Sequence, residues 1–203
     1  MTTFYLIRHG ETEWNRNGNR YCGRTNVSLS KEGFIQADRL VTSLQDVHFD
    51  AVMVSSLQRA QQTAKPLLRK LDLETVIDDR LIEVDFGEWE GLTLSEVIYK
   101  FNHQWNMWKN DPTNIRAGGI GETAKDVFTR MMDFFIEHST KQPHKRIVII
   151  SHNTAIRLFI AGTLGMPFGY YRRLRVNNTG ISLFEMENTI DPCWKVINWI
   201  PGL

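Results

Sequence analysis

Two arginines and two histidines in this sequence are of the types that phosphoryl transfer requires. A dianionic phosphate is held by fixed, positively charged donors, and the planar guanidinium groups of Arg8 and Arg59 match its oxygens. A nucleophile for phosphorus must be unprotonated near neutral pH, a condition that the imidazoles of His9 and His152 can meet. A structural role in a hydrogen-bond network is the alternative for each histidine. The residue types alone leave both roles open.

The pattern of apolar residues predicts the elements that must position these side chains. Apolar and β-branched runs of strand length alternate with amphipathic stretches of helix length. Ser30, Thr93 and Thr123 are expected to be N-caps, the last with Asp126 at capping-box spacing. The predicted strands are 3–7, 51–55, 75–77 and 146–151, with a hairpin of 181–186 and 194–199 joined through Asn188 and Pro192; the predicted helices are 30–44, 57–71, one beginning after Thr93, 123–138 and 153–162; and 11–28 and 78–91 are predicted loops.

The alternation of strands and helices predicts an α/β fold, a three-layer α/β/α sandwich. We expect a mostly parallel sheet that the C-terminal hairpin extends as an antiparallel edge. Ligands of such sheets bind beyond the carboxyl ends of the strands. Arg8 and His9, Ser55, and His152 each follow a predicted strand. The topology therefore predicts that the two histidines face one crevice.

Charge and composition limit the classes of partner. The chain has 203 residues, of which 42% are hydrophobic, and its 24 Lys and Arg nearly balance 23 Asp and Glu. No global field would draw it to nucleic acid or to a membrane, so neither is an expected partner. The N-terminal apolar run is too short for a membrane span, and Cys22 and Cys193 lack the spacing of a metal site or disulfide scaffold. We expect one cytoplasmic domain over residues 1–203.

Five ordered blocks of residues extend the phosphate hypothesis over nearly the whole chain. They are 6–12 with Trp14 and Asn15; Leu29, Ser30, Gly33, Gln36 and Ala37; 55–60 with Gln62 and Thr63; Glu83 with 87–91; and 121–123 followed by Ser151 and His152. In type, order and spacing these blocks resemble the signatures of the histidine phosphatase superfamily, the phosphoglycerate mutase-like proteins. The resemblance implies that fold and a place in the broad-specificity phosphatase branch.

The resemblance also implies a role for each matching residue. His9 would be the nucleophile that forms a covalent phosphohistidine, while Arg8, Arg59 and His152 would bind the phosphoryl oxygens. Glu83 would protonate the leaving oxygen and then activate water. These roles are chemically coherent, because charge on the equatorial oxygens needs preorganised cations and a leaving alkoxide needs a proton. For Glu83, a solvated loop carboxylate is the alternative.

Four further residues are expected to contact the substrate. Asn15 would supply a neutral donor, Cys22 and Gly23 lie in the loop that follows it, and Asn153 could offer its backbone N–H. Asn153 also departs from the family pattern, which often has two glycines after the second histidine. One branch has an aspartate there as the acid, and its absence favours Glu83 for that role.

Two groups of residues have two interpretations each. The aromatic segment 99–108 either packs in the core or forms an apolar wall over the substrate, within a lid-like helical insertion around 92–120. Arg172, Arg173 and Arg175 either lie on a solvated helix face or meet a second anionic group on a substrate.

The expected activity is hydrolysis of a small phosphorylated metabolite, with inorganic phosphate as a product and without a metal or other cofactor. The alternatives are a cofactor-dependent phosphoglycerate mutase and a catalytically silent binding protein of the same fold. Lys100, Lys109 and Arg116 are expected to be surface charges rather than a mutase-like clamp. The oligomeric state stays open, with a homodimer among the alternatives.

Overall fold

Six strands form one mixed sheet in the computed structural model, which describes residues 1–187 and 191–200. The strands are β1 (Thr2–Arg8), β2 (Ala51–Val54), β3 (Thr75–Ile77), β4 (Arg146–Ser151), β5 (Ile181–Met186) and β6 (Cys193–Trp199). They lie in the order β3-β2-β4-β1-β5-β6. Strands β1 to β4 are parallel to one another, β5 is antiparallel to β1, and β6 is antiparallel to β5. The predicted sheet is thereby confirmed, while Asn188 in the hairpin connection lies outside the described residues.

Helices cover both faces of this sheet and complete the predicted three layers. They are α1 (Glu13–Arg16), α2 (Lys31–Leu44), α3 (Gln58–Leu71), α4 (Leu94–Asn110), α5 (Ala124–Lys141) and α6 (Asn153–Thr163). Side chains alternate along β1, so that Phe4 and Leu6 pack in one apolar cluster with α5 and α6, and Ile7 packs in another with α2 and α3. Among the described residues, no helix combines the length and apolar character that crossing a membrane requires.

Capping boxes fix where several helices begin. Thr93 and Thr123 each accept a hydrogen bond from a backbone N–H of the first turn, and the backbone N–H of each cap donates to a carboxylate three residues on. The same arrangement of Thr12 and Asn15 turns Glu13–Arg16 into a short helix. The prediction of a continuous loop over 11–28 was therefore wrong at this turn.

The aromatic residues of α4 divide between the core and the solvent. Trp105 and Trp108 are buried in the larger apolar cluster, and Trp108 Nε1 donates to Tyr171 Oη at 3.3 Å. Tyr99 is 88% exposed and Met107 is exposed as well. Core packing is thus the structural role of the two tryptophans.

Parallel pairing of β1 with β4 positions the candidate site. Arg8 lies opposite Ser151 in the register of the two strands, so His9 and His152 leave the sheet side by side. β2 pairs with the other side of β4 and brings Ser55 to the same edge. The carboxyl ends of three strands meet there, as the sequence predicted.

Candidate active site

Two buried imidazoles lie together at the carboxyl edge of the sheet. The ring centroids of His9 and His152 are 5.1 Å apart, with an angle of 54° between the planes. The His9 backbone N–H donates to the carbonyl of Ser151 at 3.0 Å, which ties the end of β1 to the end of β4. His9 is 5% exposed and His152 is fully buried.

One ring nitrogen of His9 has no hydrogen-bond partner among the described residues. Nδ1 lies 2.7 Å from the backbone oxygen of Gly10, and because a carbonyl only accepts, Nδ1 must carry the proton. The lone pair therefore resides on Nε2. His9 lines a pocket that opens to solvent. Burial, followed by the charges of Arg59 and Arg8, lowers the pKa of His9 well below its ordinary value, so the ring is neutral at pH 7.

His152 uses both of its ring nitrogens inside the protein. Nδ1 accepts a hydrogen bond from Arg59 Nε at 3.1 Å, so the proton is on Nε2, which donates to Ser55 Oγ at 2.7 Å. Burial and then the charge of Arg59 lower the pKa of His152 well below its ordinary value. The structure places this imidazole behind the wall of the pocket.

Arg59 is completely buried and binds the loop that follows α1. Its terminal nitrogens donate to the backbone oxygens of Thr25, Cys22 and Gly23 at 2.9, 3.1 and 2.9 Å. Glycine is required at 23, since a Cβ there would lie 2.3 Å from the backbone oxygen of Val84. Cys22 lines the pocket, and burial raises the pKa of its thiol to about 11. The thiol is therefore protonated at neutral pH.

Arg8 supplies positive charge to the pocket beside His9. Its Nη1 donates to the backbone oxygen of Val176 at 2.8 Å, whereas its buried Nε has no partner among the described residues. Burial, which Glu83 opposes and Arg157 reinforces, lowers the pKa of Arg8 to about 10. The guanidinium remains charged at neutral pH.

Glu83 lies in the loop that follows β3, lines the same pocket and places its carboxylate against the start of α6. It is 4% exposed, so it is not a solvated loop residue. Oε1 accepts from the backbone N–H groups of Val84 and Ala155 at 2.9 Å each, and Oε2 accepts from that of Thr154 at 3.0 Å. These donors hold the carboxylate at the N-terminus of a helix, where negative charge is favoured.

The two asparagines predicted to bind substrate both line the pocket. Asn15 Oδ1 accepts from the backbone N–H of Thr12 at 3.1 Å, which leaves its Nδ2 as the donor on that side. Asn153 is the first residue of α6 and has helical rather than left-handed backbone geometry. Its N–H belongs to the first turn of the helix, whose donors lack intrahelical partners.

Two lining residues were missed or underrated in the sequence. Arg157 lies one helical turn after Asn153 on α6 and reaches the same pocket, a signal that spacing of four residues could have given. Its Nε donates to the backbone oxygen of Tyr171 at 3.1 Å. Arg172 donates to Tyr21 Oη at 3.1 Å and also lines the pocket. The segment 99–108 contributes no lining residue.

The pocket thus combines an unprotonated imidazole nitrogen, several guanidinium groups and one buried carboxylate. Within the described residues, no cluster of three or more His, Cys, Asp and Glu side chains could hold a metal ion. Such a site suits transfer of an anionic group that guanidinium groups neutralise.

Comparison with known proteins decides the family. Residues 4–197 match the model of the histidine phosphatase superfamily, branch 1. This chain belongs to the histidine phosphatase superfamily. The assignment confirms the resemblance inferred from the five sequence blocks.

Phosphatases are among the named relatives of this superfamily member, as are probable phosphoglycerate mutases. It is 31% identical to phosphoserine phosphatase 1 of Hydrogenobacter thermophilus, covering 92% of this chain and 88% of that protein. It is 35% identical to the adenosylcobalamin/alpha-ribazole phosphatase of Escherichia coli, covering 80% and 79%. Among solved structures, Bacillus stearothermophilus YhfR superposes with a TM-score of 0.90 at 25% identity over 98% of both chains. The expected phosphatase class is confirmed.

Proposed function

We propose that this chain hydrolyses a phosphomonoester of a small metabolite through a phosphohistidine on His9, and releases inorganic phosphate. The observation that carries the proposal is the free Nε2 of His9, held in its unprotonated tautomer by the Gly10 carbonyl and facing a pocket that Arg8 lines. An imidazole with a lowered pKa keeps this nitrogen available as a nucleophile at neutral pH.

In the first step, Nε2 of His9 forms a bond to phosphorus while the bond from phosphorus to the ester oxygen breaks. The ester oxygen retains the electron pair and takes a proton from Glu83, which acts in its protonated form. Arg8 and the N–H of Asn153 stabilise the charge that spreads over the equatorial oxygens. The alcohol then leaves through the open side of the pocket.

In the second step, water takes the place of the alcohol. Glu83, now a carboxylate, removes a proton from the water as its oxygen attacks phosphorus. The bond between phosphorus and Nε2 of His9 breaks, and the electron pair returns to the ring. Asn15 orients a phosphoryl oxygen through Nδ2. These steps restore the enzyme and yield inorganic phosphate.

The roles of Arg59 and His152 as phosphate ligands stay predictions. Both side chains already donate to protein atoms, Arg59 to backbone carbonyls and His152 to Ser55. A direct bond to a phosphoryl oxygen would replace one of these bonds. We therefore propose a second role for them: Arg59 fixes the loop around Cys22, and it holds the ring of His152 in its orientation beside His9.

Other features of the chain support finer proposals. Residues 92–120 would act as a lid-like insertion of a single domain, since Leu94 lines the pocket and Trp105 packs beneath Arg172. Two free cysteines, Cys22 and Cys193, suit the reducing cytoplasm. Lys100, Lys109 and Arg116 do not line the pocket, which favours release of the alcohol over its retention by a mutase-like clamp.

Release of inorganic phosphate from p-nitrophenyl phosphate, 3-phosphoglycerate and a panel of phosphorylated metabolites tests the proposal. We expect turnover that persists in EDTA, because arginines supply the charge that Mg²⁺ supplies in other phosphoryl-transfer enzymes. Interconversion of 2- and 3-phosphoglycerate, primed with bisphosphoglycerate, is measured in parallel. Interconversion faster than phosphate release would make the chain a mutase, and no turnover of any ester would make it a binding protein.

A further inference from the structure

A second cleft adjoins the phosphate pocket and is lined by arginines. We call it the arginine cleft. Its charged and amide side chains are Arg8, Asn153, Arg157, Arg172, Arg173, Arg175 and Asn177, and no Asp or Glu of the described residues lines it. Four of these seven residues also line the phosphate pocket. The two spaces are therefore neighbouring parts of one binding region.

The described residues form no direct ion pair with the arginines of this cleft. Within the part of the chain that the structure describes, none of its five arginines has a carboxylate oxygen within 4.0 Å. Seven other arginines, Arg80 and Arg130 among them, do form such ion pairs. The contrast marks this cleft as a place where cations are kept available.

Neutral groups hold four of these five guanidinium groups in place, those of Arg8, Arg157, Arg172 and Arg173. Arg173 stacks 4.0 Å from the ring centroid of Tyr170, and Arg172 lies 4.2 Å from that of Trp105. The 3-10 helix Phe168–Arg173 carries both arginines. Stacking and carbonyl contacts fix a guanidinium without cancelling its charge. The cleft is thus organised before any ligand arrives.

The number of charges exceeds what one phosphoryl group can neutralise. Arg8 is 8% exposed, lines both spaces and has a buried Nε without a partner among the described residues. Burial lowers the pKa of Arg157, and the neighbouring Arg172 lowers it further. Like charges gathered in this way repel until an anion binds. A phosphoryl dianion beside His9 brings two negative charges to five arginines, and Arg173 and Arg175 lie outside its pocket.

We propose that the arginine cleft binds a second anionic group, a carboxylate or a phosphate, carried by the alcohol that leaves. The inference rests on the proposed function and names its substrate class. Because Arg8 and Arg157 line both spaces, the second anion lies close to the scissile phosphate, which favours a short metabolite. Arg173 and Arg175 are exposed, so the cleft selects the leaving group without enclosing it.

Two pairs of esters that differ in one charge test the proposal. The carboxylate pair is 3-phosphoglycerate and the glycerol phosphate of matching stereochemistry. The phosphate pair is 1,3-propanediol bisphosphate and 3-hydroxypropyl phosphate. We expect kcat/KM to be about tenfold higher or more for the anionic member of one pair, as a charge-assisted hydrogen bond would give. The pair that shows the preference identifies the anion.

Arginine variants connect this preference to the cleft. In the double variant Arg173→Gln and Arg175→Gln, we expect the ratio of kcat/KM within the preferred pair to fall about tenfold. Arg69→Gln is the matched control, since Arg69 is exposed on α3 and outside both spaces. That variant should keep the wild-type ratio.

In the wild type, the member of each pair that carries the second anionic group could have the same kcat/KM as the member without it. That result in both pairs would overturn the inference. An unchanged ratio in the double variant would overturn it as well. Turnover of p-nitrophenyl phosphate without either effect would leave the proposed function intact and reject only the arginine cleft. Absence of turnover for every ester would reject both.

Discussion

The front and the rear of the site have similar residues but opposite hydrogen-bonding states. The front, Arg8 and His9, lines the pocket, and among the described residues neither the buried Nε of Arg8 nor Nε2 of His9 has a hydrogen-bond partner. The rear, Arg59 and His152, is fully buried, and both ring nitrogens of His152 form hydrogen bonds with protein atoms. A buried polar group without a partner costs free energy, so it persists where function needs it.

This difference distinguishes the proposed nucleophile, His9, from His152, which supports it. Both imidazoles have a lowered pKa, and burial is the main cause for each. The pKa alone therefore does not distinguish the nucleophile. The distinguishing observation is where the lone pair lies: on Nε2 toward the pocket in His9, and on Nδ1 toward Arg59 in His152.

The largest predicted effect is that of His9→Ala. The variant should lose at least about 10⁴-fold in kcat, because no other side chain at the front can form the covalent intermediate. His103→Ala, at an exposed histidine of α4, is the control and should retain activity. Circular dichroism checks that both variants fold. A folded His9→Ala enzyme with substantial turnover would remove the difference between front and rear.

Glu83→Gln should follow in size and should depend on the leaving group. For alkyl phosphates, whose alkoxide needs a proton, we expect kcat/KM to fall roughly 10²- to 10³-fold. For p-nitrophenyl phosphate the rate of phosphohistidine formation should fall much less, since p-nitrophenolate leaves without a proton. Pre-steady-state release of p-nitrophenol measures this step. Equal losses on both esters would show that Glu83 only positions other groups.

Ser55→Ala tests the rear with a smaller change. It removes the acceptor of the His152 Nε2–H bond at 2.7 Å and leaves the front untouched. We expect a loss of about three- to tenfold in kcat/KM, the range of one neutral hydrogen bond, shared by all esters irrespective of leaving group. A loss as large as that of His9→Ala would mean that the rear takes part directly in the chemistry.

The smallest effect concerns stability and pH. The unfolded chain binds protons at its histidines as pH falls through about 6.5, while buried His9 stays neutral in the folded state. Its stabilising contribution is thus complete above that pH and is lost as pH falls, by up to about 1.4 kcal/mol per pH unit. His9→Asn should flatten the fall in the free energy of unfolding between pH 7.5 and 5.5, measured with urea. An unchanged slope would contradict the burial of a neutral His9.

The sequence predicted the position of both histidines because parallel strands bring their carboxyl ends to one edge. It did not predict that both ring nitrogens of His152 form hydrogen bonds within the protein. It also did not predict that three backbone N–H groups donate to the buried carboxylate of Glu83. Those depend on how α6 docks against the loop that follows β3, which no local pattern encodes. Arg157 is different, because it lies four residues after Asn153 on the same face of α6, and that spacing could have predicted its place in the pocket.

For the arginines that follow α6, the sequence showed the residues but not their role. Arg172, Arg173 and Arg175 could be recognised as a cluster, but a solvated face and an anion site have the same sequence. Packing of Arg172 on Trp105 joins two segments far apart in the chain, and it became visible only in the fold.

The central claim, that His9 and not His152 carries the phosphoryl group, is tested most directly by mapping the intermediate. Glu83→Gln should accumulate it from p-nitrophenyl phosphate, because formation is spared while activation of water is lost. After an alkaline quench, mass spectrometry of peptides locates the label. We predict one phosphoryl group on His9, stable in alkali and lost in acid. A label on His152, or on a serine or cysteine, would contradict the account.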